Sequence, residues 1–345
     1  MFSKLAGNDR VKTTLKRLLT AGRIPNALLF AGADGIGKKQ FAIEIAKAFL
    51  CISPNDLEGC DECSACRRAA IFNIPKPDKK DDFKQVFFSG HPDVGMAVPF
   101  NKNILVDSIR DLEKEAYFRP YEAKARFFII DDADKMNDAA SNALLKTLEE
   151  PASTSHIILI SSRPDSLLQT VLSRCQTICF APVETESIEE VLLNTNKFSI
   201  DDAKIAARLS GGSVKRALAM DVEKFREMRE RMLGVLRGLF ARRDRAMLLL
   251  TAEQMNDAKN KDDYENNLSI MLSLIRDIWT LTLGSGEENI VNADIASELQ
   301  QMSGNAETTK LSSWMNEIEQ LRKSFAVNIN RKVATDALFM QMAAK

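Results

Sequence analysis

The sequence predicts an α/β fold: a parallel sheet covered by helices up to about residue 181, then an all-helical region to the end of the chain. Three observations predict it. Continuous apolar runs at 27–32 (ALLFAG), 126–134 (RFFIIDDAD) and 156–162 (HIILISS) alternate with amphipathic segments, and strands apolar on both faces belong to a buried parallel sheet. The first run enters a glycine-rich turn and then a helix, the context that a phosphate-binding loop requires. After Pro182 no strand of comparable quality follows, only helical periodicity.

Taken in order, residues 8–21 set Val11, Leu15, Leu18 and Leu19 at helical spacing. ALLFAG is a strand, and KQFAIEIAKAFL is a helix with Phe41, Ile45 and Phe49 in phase. Residues 51–66 form a cysteine-rich insertion. Residues 72–90, rich in Lys, Asp and Pro, form a surface loop. NILV at 103–106 is a further strand before a helix at 107–118. RFFIIDDAD is a buried strand ending in acids, and NDAASNALLKTLEEP is a helix capped by Asn137 and stopped before Pro151. HIILISS is the next buried strand. Beyond Pro182, helices are expected at 184–194, 201–210, 213–243 (with a break), 264–283, 291–302 and 307–341. The charged stretch 253–266 is a linker or helix tip. The expected domains are 1–181, 182–222 and 223–345, with Leu268, Met271, Leu272, Ile275, Ile278, Trp279 and Trp314 chiefly as core of the last.

The formal net charge of -1 over 345 residues excludes a global basic field. The charge is uneven, however: residues 201–250 carry twelve Lys/Arg against seven Asp/Glu, and 251–300 carry three against ten. No stretch reaches the ~18 uncharged apolar residues of a membrane span. MFSKLAGNDR lacks the apolar core of a signal peptide. A cytoplasmic protein is expected, and in a reducing compartment six cysteines point to metal ligands or small buried hydrophobes rather than disulfides.

GADGIGKK at 32–39 nearly matches G-x-x-x-x-G-K-[ST]. Gly32, Gly35 and Gly37 would let backbone N–H groups cradle an anion, and Lys38 would reach phosphate oxygens. Lys39 stands where a hydroxyl should hold Mg²⁺. It can partly replace the metal's charge but cannot coordinate it. Asp131, ending a neighbouring strand, would form the second half of the site. Asp132 stands where many ATPases carry a water-activating glutamate, one methylene longer. ATP binding is therefore expected to be weak or absent, and hydrolysis slow. Cys51, Cys60, Cys63 and Cys66 follow C-x8-C-x2-C-x2-C, a spacing that wraps one tetrahedral Zn²⁺ in a closed, structural site. Asp61 and Glu62 between them are expected to face solvent, and Cys175 and Cys179 to be core residues.

GADGIGKK, the cysteine quartet, HPDV at 91–94, IIDDADKMNDAASNALLKTLEEP at 129–151 and LLQTVLSRCQTICF at 167–180 together resemble the bacterial DNA polymerase III clamp-loader subunits, a branch of the AAA+ ATPases. The resemblance is to delta-prime more than to gamma/tau, since motor subunits carry threonine at the position of Lys39 and glutamate at that of Asp132. It covers the sheet domain densely and the rest more loosely. It implies an AAA+ domain, a small helical lid and a collar domain in a hetero-pentamer with motor subunits and a delta subunit. That assembly loads a sliding clamp on primed DNA. Arg174 of the SRC box would reach the ATP of a neighbouring motor subunit. Ser161 and Ser162 fall at the first sensor, and GGSVKRAL at 211–218 at the second, with Lys215 at the usual arginine and Arg216 one residue later. Two other readings stand beside it: a gamma-type motor hydrolysing ATP itself, and a zinc-containing scaffold. Residues 226–245 form a basic helix that touches DNA or a partner, or is simply solvated.

Overall fold

A computed structural model describes residues 1–22, 24–241, 245–256, 263–324 and 330–344. The chain divides into two compact units, Met1–Phe198 with Ser210–Leu218, and Ser199–Leu209 with Ala219–Lys345.

In the first unit, α1 (Asp9–Thr20) precedes β1 (Ala27–Ala31), α2 (Lys38–Leu50) and α3 (Ser64–Ala69). Then follow β2 (Phe87–Phe88), β3 (Val94–Ala97), α4 (Val106–Ala116), β4 (Arg126–Ile130), α5 (Asp138–Glu149), β5 (Ser155–Ser161), α6 (Gln169–Leu172), β6 (Gln176–Cys179), α7 (Thr185–Asn194) and, after the excursion of 199–209, α9 (Val214–Leu218). The six strands lie in the order β2-β3-β4-β5-β1-β6. All neighbours are parallel except β2 and β3, so the sheet is mixed rather than wholly parallel.

Every residue of β1, β4 and β5 is buried, as the continuous apolar runs require. On one face Leu29, Phe128, Ile130, Ile157 and Leu159 share a core with Ile109 and Leu112 of α4 and Leu144 of α5. On the other, Phe49 of α2 packs on Phe127 and His156.

NILV is not a strand. Asn103 and Ile104 make only isolated bridges, to Phe100 and Met136, and α4 begins at Val106. The strand in that place is VGMA, the start of the apolar run VGMAVPF at 94–100, whose glycine and proline weaken the strand pattern. Gly95 is small for a reason: a β-carbon there would stand 2.5 Å from Val86 Cγ1. β2 falls inside the segment expected to be all loop, because two residues leave no periodicity to detect. The HPDV segment has a structural task. Asp93, fully buried, accepts backbone N–H groups of Tyr121, Glu122 and Ala123 at 2.7–2.9 Å. It also faces the equally buried Arg126, whose guanidinium contacts Glu115 and stacks on Tyr121 and Phe128.

In the second unit, α8 (Ile200–Leu209), α10 (Val222–Ala241), α11 (Arg245–Met255), α12 (Tyr264–Thr282), α13 (Ala296–Ser303), α14 (Thr308–Ser324) and α15 (Arg331–Ala344) are all helical. α12 is central, packing on α10, α13 and α14. Leu268, Met271, Leu272, Ile275 and Ile278 are buried as expected, and Trp279 is half-buried. Trp314 is fully buried and donates its indole N–H to the Met342 carbonyl. The break in 213–243 falls at 219–221. The stretch 307–341 is two helices, α14 and α15. Of the expected linker, 257–262 lie outside the described residues, as do 242–244 of the basic stretch. Within α10, Arg226 pairs with Asp202, the buried Arg229 with Asp294, and Arg237 with Glu230 and Glu298. Among the described residues no helix is long and apolar enough to cross a membrane.

Replacing Asp93 with Ala leaves three backbone N–H groups without their acceptor and removes the counter-charge 3.6 Å from the buried Arg126 guanidinium. The expected cost is about 3–5 kcal/mol of stability, measurable by urea unfolding.

Candidate functional site

β1 runs into the loop Gly32–Gly37, and α2 starts at Lys38. Open α/β sheets hold ligands outside the carboxyl ends of their strands. Here the loop after β1, Ser161 at the end of β5 and Asp131 after β4 share that edge, because β5 lies between β1 and β4. Gly35, at φ 77°, sits under the 213–215 turn, where a β-carbon would stand 2.2 Å from Ser213 Oγ. The Lys215 N–H donates to the Gly35 carbonyl at 3.1 Å. The turn therefore lies directly on the loop.

The charges of this edge are matched internally. Lys38, 5% exposed, donates its ammonium to the carbonyls of Gly32 and Ala33 at 2.6 and 2.5 Å. Its burial lowers its pKa. Lys39 forms an ion pair with Asp131. Lys215 pairs with Asp34 at 3.2 Å, and Arg216 donates instead to the Ser210 carbonyl. Asp132 pairs with Lys135 at 2.8 Å. The Ser161 hydroxyl, fully buried, donates to Asp134 at 3.1 Å. Burial alone would raise the Asp134 pKa, but hydrogen bonds from the Ser162 N–H, Arg163 and Ser161 outweigh it and hold the carboxyl below its ordinary value.

Arg174 lies elsewhere. It precedes β6, whose Gln176 stands beside Leu28 of β1, at the opposite end of the strands from the loop. The level of Gln176, at Leu28, is four residues of strand below Gly32, roughly 13 Å at ~3.3 Å per residue, and Arg174 lies in the turn before it. Its guanidinium is held by Glu149 at the end of α5 and by the Thr170 carbonyl at 2.8 Å, and remains one-third exposed.

The four cysteine sulfurs of the insertion lie within 4.8 Å of one another, with Cys51 and Cys63 4.0 Å apart. A tetrahedral Zn²⁺ with bonds of ~2.3 Å needs neighbouring sulfurs about 3.8 Å apart, so the quartet fits that ion. Cys51, Cys60 and Cys63 each accept a backbone N–H through sulfur, from Cys60, Cys63 and Cys66, the orientation expected of thiolates. Burial would raise the Cys63 pKa, yet the N–H groups of Cys66 and Ile52 outweigh it and bring it to about 6. Glu62 is exposed, but Asp61 is not a solvent residue. It binds the Met1 ammonium, Lys4 and the buried Lys47, which together hold its carboxyl well below the usual range despite burial. Cys175 packs partly buried against the core, whereas Cys179 is exposed. It belongs to β6, an edge strand with one buried residue in four.

Two family models match in tandem: "DNA polymerase III, delta subunit" over residues 7–184, and its C-terminal counterpart over 226–342. The chain belongs to the DNA polymerase III clamp-loader subunits. Within them it stands closer to delta-prime than to gamma/tau. It is 26% identical to the delta-prime subunit of Bacillus subtilis, over 93% of this chain and 92% of that one. It is 29% identical to that of Pseudomonas aeruginosa, over 92% of each. The tau subunit of B. subtilis matches at 28% over 64% of this chain and 37% of its own length.

Three residues of the clamp-loader site went unnoticed in the sequence: Asp34, Asp134 and Glu149. Asp134 had a signal, being the third acid of DDAD, with the helical turn of Ala133–Lys135 aiming it back at β5. Glu149 had only its place in the EEP box. Asp34 is one of the variable positions of the loop and had none.

A clamp-loader subunit of this kind is expected to contain about one zinc per chain by elemental analysis. Cys63→Ser should lower metal content and thermal stability together. Asp134 has a depressed folded pKa, so its stabilisation is complete above its unfolded value near ~3.9 and disappears as pH falls through the lower folded value. Asp134→Asn should flatten that acid limb of a stability–pH curve.

Proposed function

We propose that this chain is the delta-prime-like end subunit of a clamp loader, which helps place a sliding clamp on primed DNA. It assembles with motor subunits and a delta subunit in a hetero-pentamer. In this reading residues 1–181 are the AAA+ domain, 182–222 its helical lid and 223–345 the collar segment. The zinc module is structural, and the chain has little or no ATPase of its own. Contact with DNA is through backbone phosphates. Arg174 acts on a neighbour's ATP, where a guanidinium stabilises charge developing on the transferred phosphoryl group.

One observation carries the reading. The arginine precedes β6 at the amino end of the sheet while the chain's own phosphate loop follows β1 at the carboxyl end, a placement away from its own loop that favours service to a site outside the chain. Its surface position, held by Glu149 and Thr170 with the guanidinium partly open, suits that use. The family matches support a clamp-loader role beside other loader subunits, and the clustered cysteines support the structural metal.

Arg174→Ala is expected to leave assembly of the reconstituted loader intact while reducing hydrolysis by the motor subunits at least tenfold, given that such arginines are worth ~10³–10⁵. Steady-state ATPase with clamp and primed DNA measures it. Unchanged hydrolysis in an intact complex would remove the arginine from the mechanism.

A further inference from the structure

The Lys39–Asp131 ion pair joins the two positions between which a phosphate loop holds its divalent ion. Residue 39 is the second residue of α2, where a hydroxyl would ligate a metal, and Asp131, which follows β4, would supply a second oxygen. The Asp131 side chain is only 15% exposed, so a carboxylate there needs a counter-charge. An ammonium supplies charge but has no lone pair. Mg²⁺ requires near-octahedral oxygen ligation at ~2.0–2.1 Å. The neighbouring acids are already engaged: Asp34 with Lys215, Asp132 with Lys135, and Asp134 with Ser161 and Arg163. The residues present therefore do not fit a metal-bearing nucleotide.

We propose that Lys39 is a built-in counter-cation that neutralises Asp131 in place of a divalent metal, so the loop selects against Mg²⁺ and accepts a polyphosphate, if at all, in metal-free form. Lys39 is thus the residue that sets the metal specificity of the site. The proposal rests on the idle-loop reading above, but it is tested on the isolated chain. A failure of the Arg174 experiment in the complex leaves it untouched, and the converse holds too.

The experiment titrates ATP by calorimetry in Mg²⁺ and in EDTA, for the wild type, Lys39→Thr and Lys39→Thr/Asp131→Asn, with thermal melts to confirm folding. For the wild type the two affinities should agree within about threefold, or binding should be undetectable in both. Lys39→Thr frees Asp131 and restores the hydroxyl, so ATP should bind at least tenfold tighter with Mg²⁺ than with EDTA, about 1.4 kcal/mol. The double variant should lose that difference. A folded Lys39→Thr chain without metal dependence would overturn the proposal, as would a wild type that already shows a tenfold preference for Mg²⁺. Electron paramagnetic resonance of Mn²⁺ with wild-type protein and ATP decides independently of any variant. No protein-bound Mn²⁺ supports the assignment, and a stoichiometric bound ion sinks it.

Discussion

The carboxyl edge of the sheet depends on the pairing of the Lys39 ammonium with the Asp131 carboxylate. Both groups are forced together by the fold, since β1 and β4 flank β5 and their carboxyl ends open on the same edge. A carboxylate largely out of water is tolerated only with a partner. Once a lysine fills that role, Asp131 is neutralised without help from solution. The same internal matching recurs at Lys38, which spends its protons on Gly32 and Ala33, and at Lys215, which faces Asp34. A loop whose cations already have partners must break those contacts to take up an anion. The glycines still shape the cradle, but Lys38 must give up the Gly32 and Ala33 carbonyls to reach a phosphate.

Strand direction separates the phosphate loop from Arg174. In a parallel sheet every strand presents its carboxyl end to one edge and its amino end to the other. The loop, Asp131 and Ser161 occupy the first edge, and Arg174 occupies the second. Changes that neutralise the loop therefore do not disturb the arginine. Its supports are Glu149, which ends α5, and the Thr170 carbonyl of α6, both outside the loop. An exposed ion pair of this kind contributes little stability. Its effect is geometric, holding a long flexible side chain at the surface.

The parts of the fold legible in the sequence were those governed by long apolar runs or strong periodicity: β1, β4, β5, the helices that cover them, and the helical change after Pro182. The cysteine quartet was legible because its chemistry depends on spacing within sixteen residues. β2 is too short to carry a pattern, and β3 lies in the apolar run VGMAVPF at 94–100, where Gly95, which leaves room for Val86, and Pro99 interrupt the strand signal. Asp61 looked like solvent filler between two ligands, and its partners Met1, Lys4 and Lys47 lie far off or on another element. Sequence spacing shows which residues can meet within an element. It does not show which charges will be brought together across elements, and there the expectation for Asp61 failed.

The cysteine module and the degenerate loop are mechanically connected through α2. The helix has 13 residues, about 20 Å of rigid rise. Its first turn carries Lys38 and Lys39, and Cys51 follows its last residue. Near that end Lys47, itself buried, bridges Glu44 on the helix and Asp61 in the module. Four sulfurs held by one ion would stop the end of α2 from fraying and fix the helix lengthwise. A helix fixed at its far end and bedded on β4 and β5 presents its first turn at a defined height above the sheet. The Lys39–Asp131 pair is made from that first turn. The module can thus bear on the charge balance of the loop without touching it.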